Sequence, residues 1–177
     1  MTCIPIKDRK IVDEMMEYLA SKQNGFVYAL YFEFALTTAL RVQDILDLSK
    51  KDIKNGVVYV KTKKTGVVKH IALNDKCRTK MDMYLEHKKE DDAIFNFSRQ
   101  WVHQMLKEAA DMIGLDKSLV SCHTTRKTAA WHFYAASNYD IVKTGQFLGH
   151  KSSTETRKYL GITEEEVNEI NVNISWS

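Results

Sequence analysis

Leu148-Gly149-His150-Lys151-Ser152-Ser153-Thr154-Glu155-Thr156-Arg157-Lys158-Tyr159 sets a histidine on a glycine turn nine residues ahead of a tyrosine. A packed core position is the ordinary fate of a tyrosine and suits the chain's other seven. Tyr159 differs because Thr154 to Lys158 beside it are all polar. Working back toward the N-terminus, three more polar features follow in order. They are His123-Thr124-Thr125-Arg126, Lys64 in Lys63-Lys64-Thr65-Gly66, and Arg41 in Thr37-Thr38-Ala39-Leu40-Arg41-Val42-Gln43-Asp44-Ile45-Leu46. No member is unusual alone; the ordered combination carries the information.

Taken as chemistry, Arg41 and Arg126 can each hold a phosphate through paired hydrogen bonds. His123, His150 and Lys64 can move or donate protons, and Tyr159 can attack and carry a phosphoryl group. These are the groups that metal-free cleavage of a DNA phosphodiester requires. Blander readings stand beside each: an ion pair with Asp44 for Arg41, a solvated helix position for Arg126, and core packing for Tyr159. Structural roles are the reading for His70, His87, His103 and His132. A zinc site at Cys122, His123 and His150 is disfavoured, because adjacent Cys-His is a poor ligand spacing and no second cysteine is near.

The surrounding periodicity is mostly helical. Lys7 to Lys22 places Ile11, Val12, Met15, Met16 and Leu19 on one stripe, and Phe26 to Thr38 reads as a largely buried helix. A short helix runs from Arg41 through Leu48. Val57 to Val60 and Val67 to Leu73 read as two strands joined by the lysine-rich turn. Asn74 caps a helix to about Lys88. Ser98 opens another, with Trp101, Val102, Met105, Leu106, Ala109, Met112 and Ile113 inward and Gly114 at its close. Helices from Cys122 to Ser137, from Asp140 to Leu148, and after Ser152 or Ser153 follow. Thr163 and Glu166 form a capping box for the last. The expected class is α+β, mainly helical, with a small antiparallel β-sheet. No βαβ alternation or glycine-rich phosphate loop appears, which argues against a nucleotide-binding fold.

Composition narrows the class further. At 177 residues, 44% hydrophobic and 28% charged, the chain suits a single globular domain. Cys3, Cys77 and Cys122 form no C-x-x-C pair, so the expected setting is a reducing cytoplasm. The most apolar run, Phe26 to Leu36, is too short for a bilayer and contains Glu33, so no membrane association is expected. Net charge is +3, but residues 50–80 hold ten Lys or Arg against Asp52 and Asp75. A polyanion bound at one surface, or a solvated lysine face, accounts for such a run.

The four boxes together resemble the tyrosine recombinase family, in its phage-integrase branch. The Arg41 segment resembles its first arginine box, Lys63-Lys64-Thr65-Gly66 its β-hairpin lysine, and His123-x-x-Arg126 its second box. Leu148-Gly149-His150 with Tyr159 resembles its C-terminal signature, and the match runs from about residue 7 to 162. Ala39 departs from the family's usual glycine, Thr125 from an apolar residue, and Ala72 from a frequent proline. None of these removes a catalytic group.

The resemblance implies a tyrosine recombinase catalytic-domain fold and site-specific cleavage and rejoining of double-stranded DNA. The implied intermediate is a 3′-phosphotyrosyl link, formed without metal or cofactor. It implies Tyr159 as nucleophile, Arg41 and Arg126 as phosphate clamps, and His123 as proton acceptor. His150 is implied as a phosphate donor, Lys64 as general acid with Lys63 its rival, and Asp44 as buttress of the arginine. Lys61, Lys63 and Lys69 are expected on DNA phosphates. A homo-tetramer on DNA and a monomer when free are expected. The tail, about 163–177, is expected to dock either on a neighbouring protomer or on its own domain. Only forty residues precede Arg41, so residues 1–177 are expected to be one catalytic domain without the usual N-terminal core-binding domain. A type IB topoisomerase and a non-catalytic DNA-binding module are the competing readings.

Duplex DNA binding should be weak, because only one face of the duplex is gripped, and should fall steeply as salt rises, because phosphate contacts dominate it. Fluorescence anisotropy over a salt series checks this; nanomolar, salt-insensitive binding contradicts it.

Overall fold

The computed structural model describes residues 3–177. Asp8 starts α1 (Arg9–Ala20) by accepting from the Lys10 N–H at 2.9 Å, and the expected stripe buries Val12, Met15 and Leu19. α2 (Gly25–Thr38) is apolar on every face, which is why it becomes the central helix, with Leu30, Tyr31, Phe32, Phe34, Ala35 and Thr38 buried. It ends at Ala39 with φ 52°, the left-handed region that favours glycine. An alanine there costs about 1–2 kcal/mol, partly offset by burying its methyl completely. Arg41 follows in extended conformation, immediately ahead of the short α3 (Val42–Leu46) rather than within a helix.

The sheet has three antiparallel strands, not two. β1 (Ile53–Lys54) turns through Asn55 and Gly56, both at positive φ, into β2 (Val57–Lys61), which pairs with β3 (Val68–Ala72). Asn-Gly is the strongest short hairpin signal, and a two-residue strand is too short to show alternation. The β2–β3 register sets Val60 opposite Lys69 and Val58 opposite Ile71. The hairpin tip is a closed turn: Thr62 N–H donates to the Val67 carbonyl at 2.9 Å and Gly66 N–H to the Thr62 carbonyl at 2.8 Å.

α4 (Asp75–Leu85) starts at Asn74, whose side chain accepts from Cys77 N–H, and α5 (Arg99–Met112) starts at Ser98 in the same way. Phe95 and Phe97 link α2 and α5 by aromatic contacts with Tyr31, Phe34 and Trp101. Met112, expected inward, is 65% exposed. The helix stops there, and Ile113 and Leu115 pack on the core around the Gly114 turn instead.

α6 (Thr124–Ala136), α7 (Ile141–Leu148) and α8 (Ser153–Leu160) share a second, smaller core of Ala39, Ala129, Ala130, Leu148 and Leu160. α9 (Glu164–Val172) carries the expected Thr163–Glu166 capping box. Its apolar side chains do not dock on their own domain: Val167, Ile170, Val172, Ile174 and Trp176 are all exposed, Trp176 at 93%.

Close packing of α7 on α8 depends on Gly145. A β-carbon there would lie 2.6 Å from Thr156 Oγ1, on a fully buried threonine. Gly145→Ala would gain helix propensity in an open site. Here the clash dominates, and the substitution should destabilise by about 1–3 kcal/mol. Denaturant unfolding checks this, and Thr156→Ala in the same chain should recover part of the loss.

Candidate active site

Arg41, Lys64, His123, Arg126, His150 and Tyr159 line one cleft of about 410 Å³, together with Cys3, Ser121, Lys127 and Glu155. Groups separated by up to 118 positions in sequence (Arg41 to Tyr159) thus meet around a single space. They arrive from five places: the α2–α3 joint, the hairpin tip, the first turn of α6 (which supplies both His123 and Arg126), the turn after α7, and the last turn of α8.

Arg126 is the most constrained member. It is buried, donates to the Ala39 carbonyl, and donates through its other terminal nitrogen to the Leu148 carbonyl at 2.9 Å. Its guanidinium carbon stands 5.8 Å from the centre of the Tyr159 ring. Burial lowers its pKa, and the neighbouring phenol opposes that shift. A solvated helix position is therefore excluded. Arg126 ties the end of α2 to the end of α7 while also lining the cleft.

Tyr159 is half-buried on the second core, with the His150 ring edge-on at 5.3 Å. Burial raises its phenol pKa, and Arg126 and Arg41 pull the other way without prevailing. The phenol is therefore protonated near neutral pH, and attack on an electrophile requires a proton acceptor. Both histidines are suited to neutrality: burial lowers the pKa of His123, reinforced by Arg99, Lys127, Arg41 and Lys64. Burial also lowers that of His150, against the opposing pull of Glu155. His150 is oriented through Nδ1, 3.0 Å from Thr156 Oγ1.

The hairpin lysines part company. Lys63 pairs with Asp47 at 2.6 Å, outside the cleft, whereas Lys64 lines it. Lys61 is exposed on β2. Asp44 is buried but makes no ion pair with Arg41; its carboxylate accepts from the Lys63 backbone N–H at 3.0 Å. Its contact is thus with the hairpin rather than the arginine. Lys69 also departs from expectation. It is 9% exposed, points inward, and donates to the Phe147 carbonyl, so it is not a surface phosphate contact.

Two features had no clear signal in the sequence. Lys127 donates to the Cys3 carbonyl at 2.9 Å and reaches 5.9 Å from the Tyr159 ring. A groove of about 700 Å³, lined by Arg99, Gln100, His103, Gln104 and Lys107, adjoins the cleft and shares Cys3, Ser121 and His123 with it. Cys122, once weighed as a zinc ligand, is a buried free thiol. Among the described residues no cluster of three or more His, Cys, Asp or Glu side chains could hold a metal ion. Nor is any helix among them long and apolar enough to cross a membrane.

Solved structures share this architecture. A crystal structure of the XerA recombinase superposes with a TM-score of 0.73 at 18% identity, covering 99% of this chain and 66% of that one. The XerH site-specific recombinase, bound to its difH substrate in a pre-cleavage complex, gives 0.74 at 16% identity, covering 98% and 55%. The fold is that of a tyrosine recombinase catalytic domain. Residues 8–166 match the sequence profile of the phage integrase family, and the chain belongs to that family. It is 31% identical over 169 residues to the probable integrase/recombinase YoeC of Bacillus subtilis (strain 168), covering 91% of each. Against the tyrosine recombinase XerA of Saccharolobus solfataricus it is 25% identical over 132 residues, 73% of this chain and 44% of that protein.

The depressed histidines give a pH prediction with a definite sign. Each binds its proton less readily folded than unfolded, so their stabilisation is complete above the unfolded pKa of about 6.5 and is lost as pH falls below it. Thermal unfolding midpoints should therefore drop on acidification through that window. The drop should be shallower in His123→Asn/His150→Asn.

Proposed function

We propose that this chain cleaves and rejoins double-stranded DNA at specific sites through a 3′-phosphotyrosyl intermediate. The observation that carries the reading is the convergence of six candidate groups on one cleft, with the phenol beside a fixed guanidinium. In the forward step the Tyr159 oxygen forms a bond to phosphorus as the bond to the 5′-oxygen breaks. The phenolic proton passes to neutral His123. The departing 5′-oxygen takes a proton from Lys64, the hairpin lysine in the cleft. Arg41 and Arg126 bind the non-bridging oxygens, where charge builds in the transition state, and so supply the positive charge a metal would otherwise bring. His150, held through Nδ1 at 3.0 Å from Thr156 Oγ1, gives the phosphate a hydrogen bond from Nε2 when that nitrogen carries the proton. Reversal by a free 5′-hydroxyl rejoins the strand.

The groove beside the cleft supplies a path for the flanking duplex, with Arg99 and Lys107 on phosphates. Exposed apolar residues of the tail fit docking on a neighbouring protomer in a homo-tetramer on DNA. Both the XerH complex and a lambda integrase dimer bound to a COC′ core site are DNA assemblies of similarly folded proteins.

Nicked duplexes with a randomised core should yield a denaturant-stable protein–DNA adduct with the wild-type chain and none with Tyr159→Phe. Arg41→Ala should lower the rate of adduct formation by about 10²–10³-fold. An undiminished adduct with Tyr159→Phe refutes the reading; binding without any adduct favours a DNA-binding module.

A further inference from the structure

Lys69 occupies an inward position of β3, in a strand whose other inward residue is Ile71 and whose facing residue is Val60. Alternation would fill such a position with an aliphatic side chain. Instead its ammonium donates to the Phe147 carbonyl and stands 5.3 Å over the Phe147 ring. Its stem and Val67 lie beside Gly149: a β-carbon on that glycine would reach ordinary van der Waals contact with Val67 Cγ1 at 3.6 Å and Lys69 Cδ at 3.8 Å. The next carbonyl, Leu148, is taken by Arg126. Two cations therefore hold consecutive carbonyls at the C-terminal end of α7, where peptide dipoles gather negative charge.

Stability does not account for this lysine. Burial, Arg126 and Arg41 all disfavour its charged form, Asp44 alone favours it, and its pKa falls to about 8. An apolar residue of similar length is tolerated at least as well in such places. What the lysine does accomplish is attachment. On one side the hairpin is tied to α3, through Asp44 on the Lys63 N–H and Asp47 on the Lys63 ammonium. On the other side, Lys69 and Val67 join it to the turn that carries His150.

We propose that Lys69 is a positioning residue that latches the β2–β3 hairpin to the His150 turn and thereby holds Lys64 over the leaving oxygen. The inference rests on the reading of Lys64 as general acid, and the test separates the two. Ordinary nicked substrate is compared with one carrying sulfur in place of the bridging 5′-oxygen, since a thiolate leaves without a proton. Lys69→Met keeps the stem and removes the ammonium. It should form adduct about 10²-fold more slowly on the ordinary substrate, the cost of a misplaced catalytic group. It should approach wild-type speed on the sulfur substrate, as Lys64→Ala should. Lys64→Ala/Lys69→Met should be no slower than Lys64→Ala.

A Lys69→Met defect equal on both substrates, or no defect, overturns the latch while leaving the wild-type site intact. If Lys64→Ala itself is not rescued, the reading beneath it fails. Should Lys69→Met not fold, Val67→Ala loosens the same contact without touching charge, and the same rescue is required of it. Failure of both to fold makes the contact one of stability and overturns the proposal.

Discussion

A guanidinium bonded to two backbone carbonyls organises this domain. Arg126 reaches from α6 to the left-handed end of α2 and to the last turn of α7, and so ties together Ala39 and Leu148 of the smaller core. Both carbonyls lie at helix ends, where no further turn supplies a partner. Taking the cation out of water is costly, and these bonds are what make its burial tolerable. The same bonds fix the side chain's direction, so the edge left toward the cleft is aimed by the fold rather than by ligand.

The electrostatics of the cleft follow from that burial. Arg41, Arg126, Lys64, Lys69 and Lys127 crowd a small volume with Asp44 and Glu155 as the nearby carboxylates. Such a set repels itself until an anion enters. Neutral histidines and a protonated phenol keep the free site from adding to the imbalance. A phosphate diester, as in the proposed reaction, would supply the missing negative charge, and the desolvated walls would strengthen its attraction.

Much of this was legible from residue order. Helix spans were foreseen to within a few residues, because capping residues such as Ser98, Asn74 and Thr163 announce themselves. The six candidate residues line one cleft. What escaped depends on tertiary neighbours. Lys69 reads as a surface cation in any sequence window, and only the docking of β3 on α7 turns it inward. Asp44 sits three residues from Arg41, close enough to suggest a pair, yet the hairpin N–H lies nearer. Periodicity put Met112 inward, but nothing in it says where the helix runs out. The amphipathic pattern of the tail identifies an apolar face without saying whose surface covers it.

Ala39 gives the joint before Arg41 a particular mechanical character. A glycine in the left-handed region has many alternative conformations; an alanine has few, and this one is gripped at its carbonyl by Arg126 and sealed at its methyl. The link between the central helix and Arg41 is therefore stiff rather than hinged. The Ala39–Arg41 corner is thus a fixed frame for the side chains that converge on the cleft.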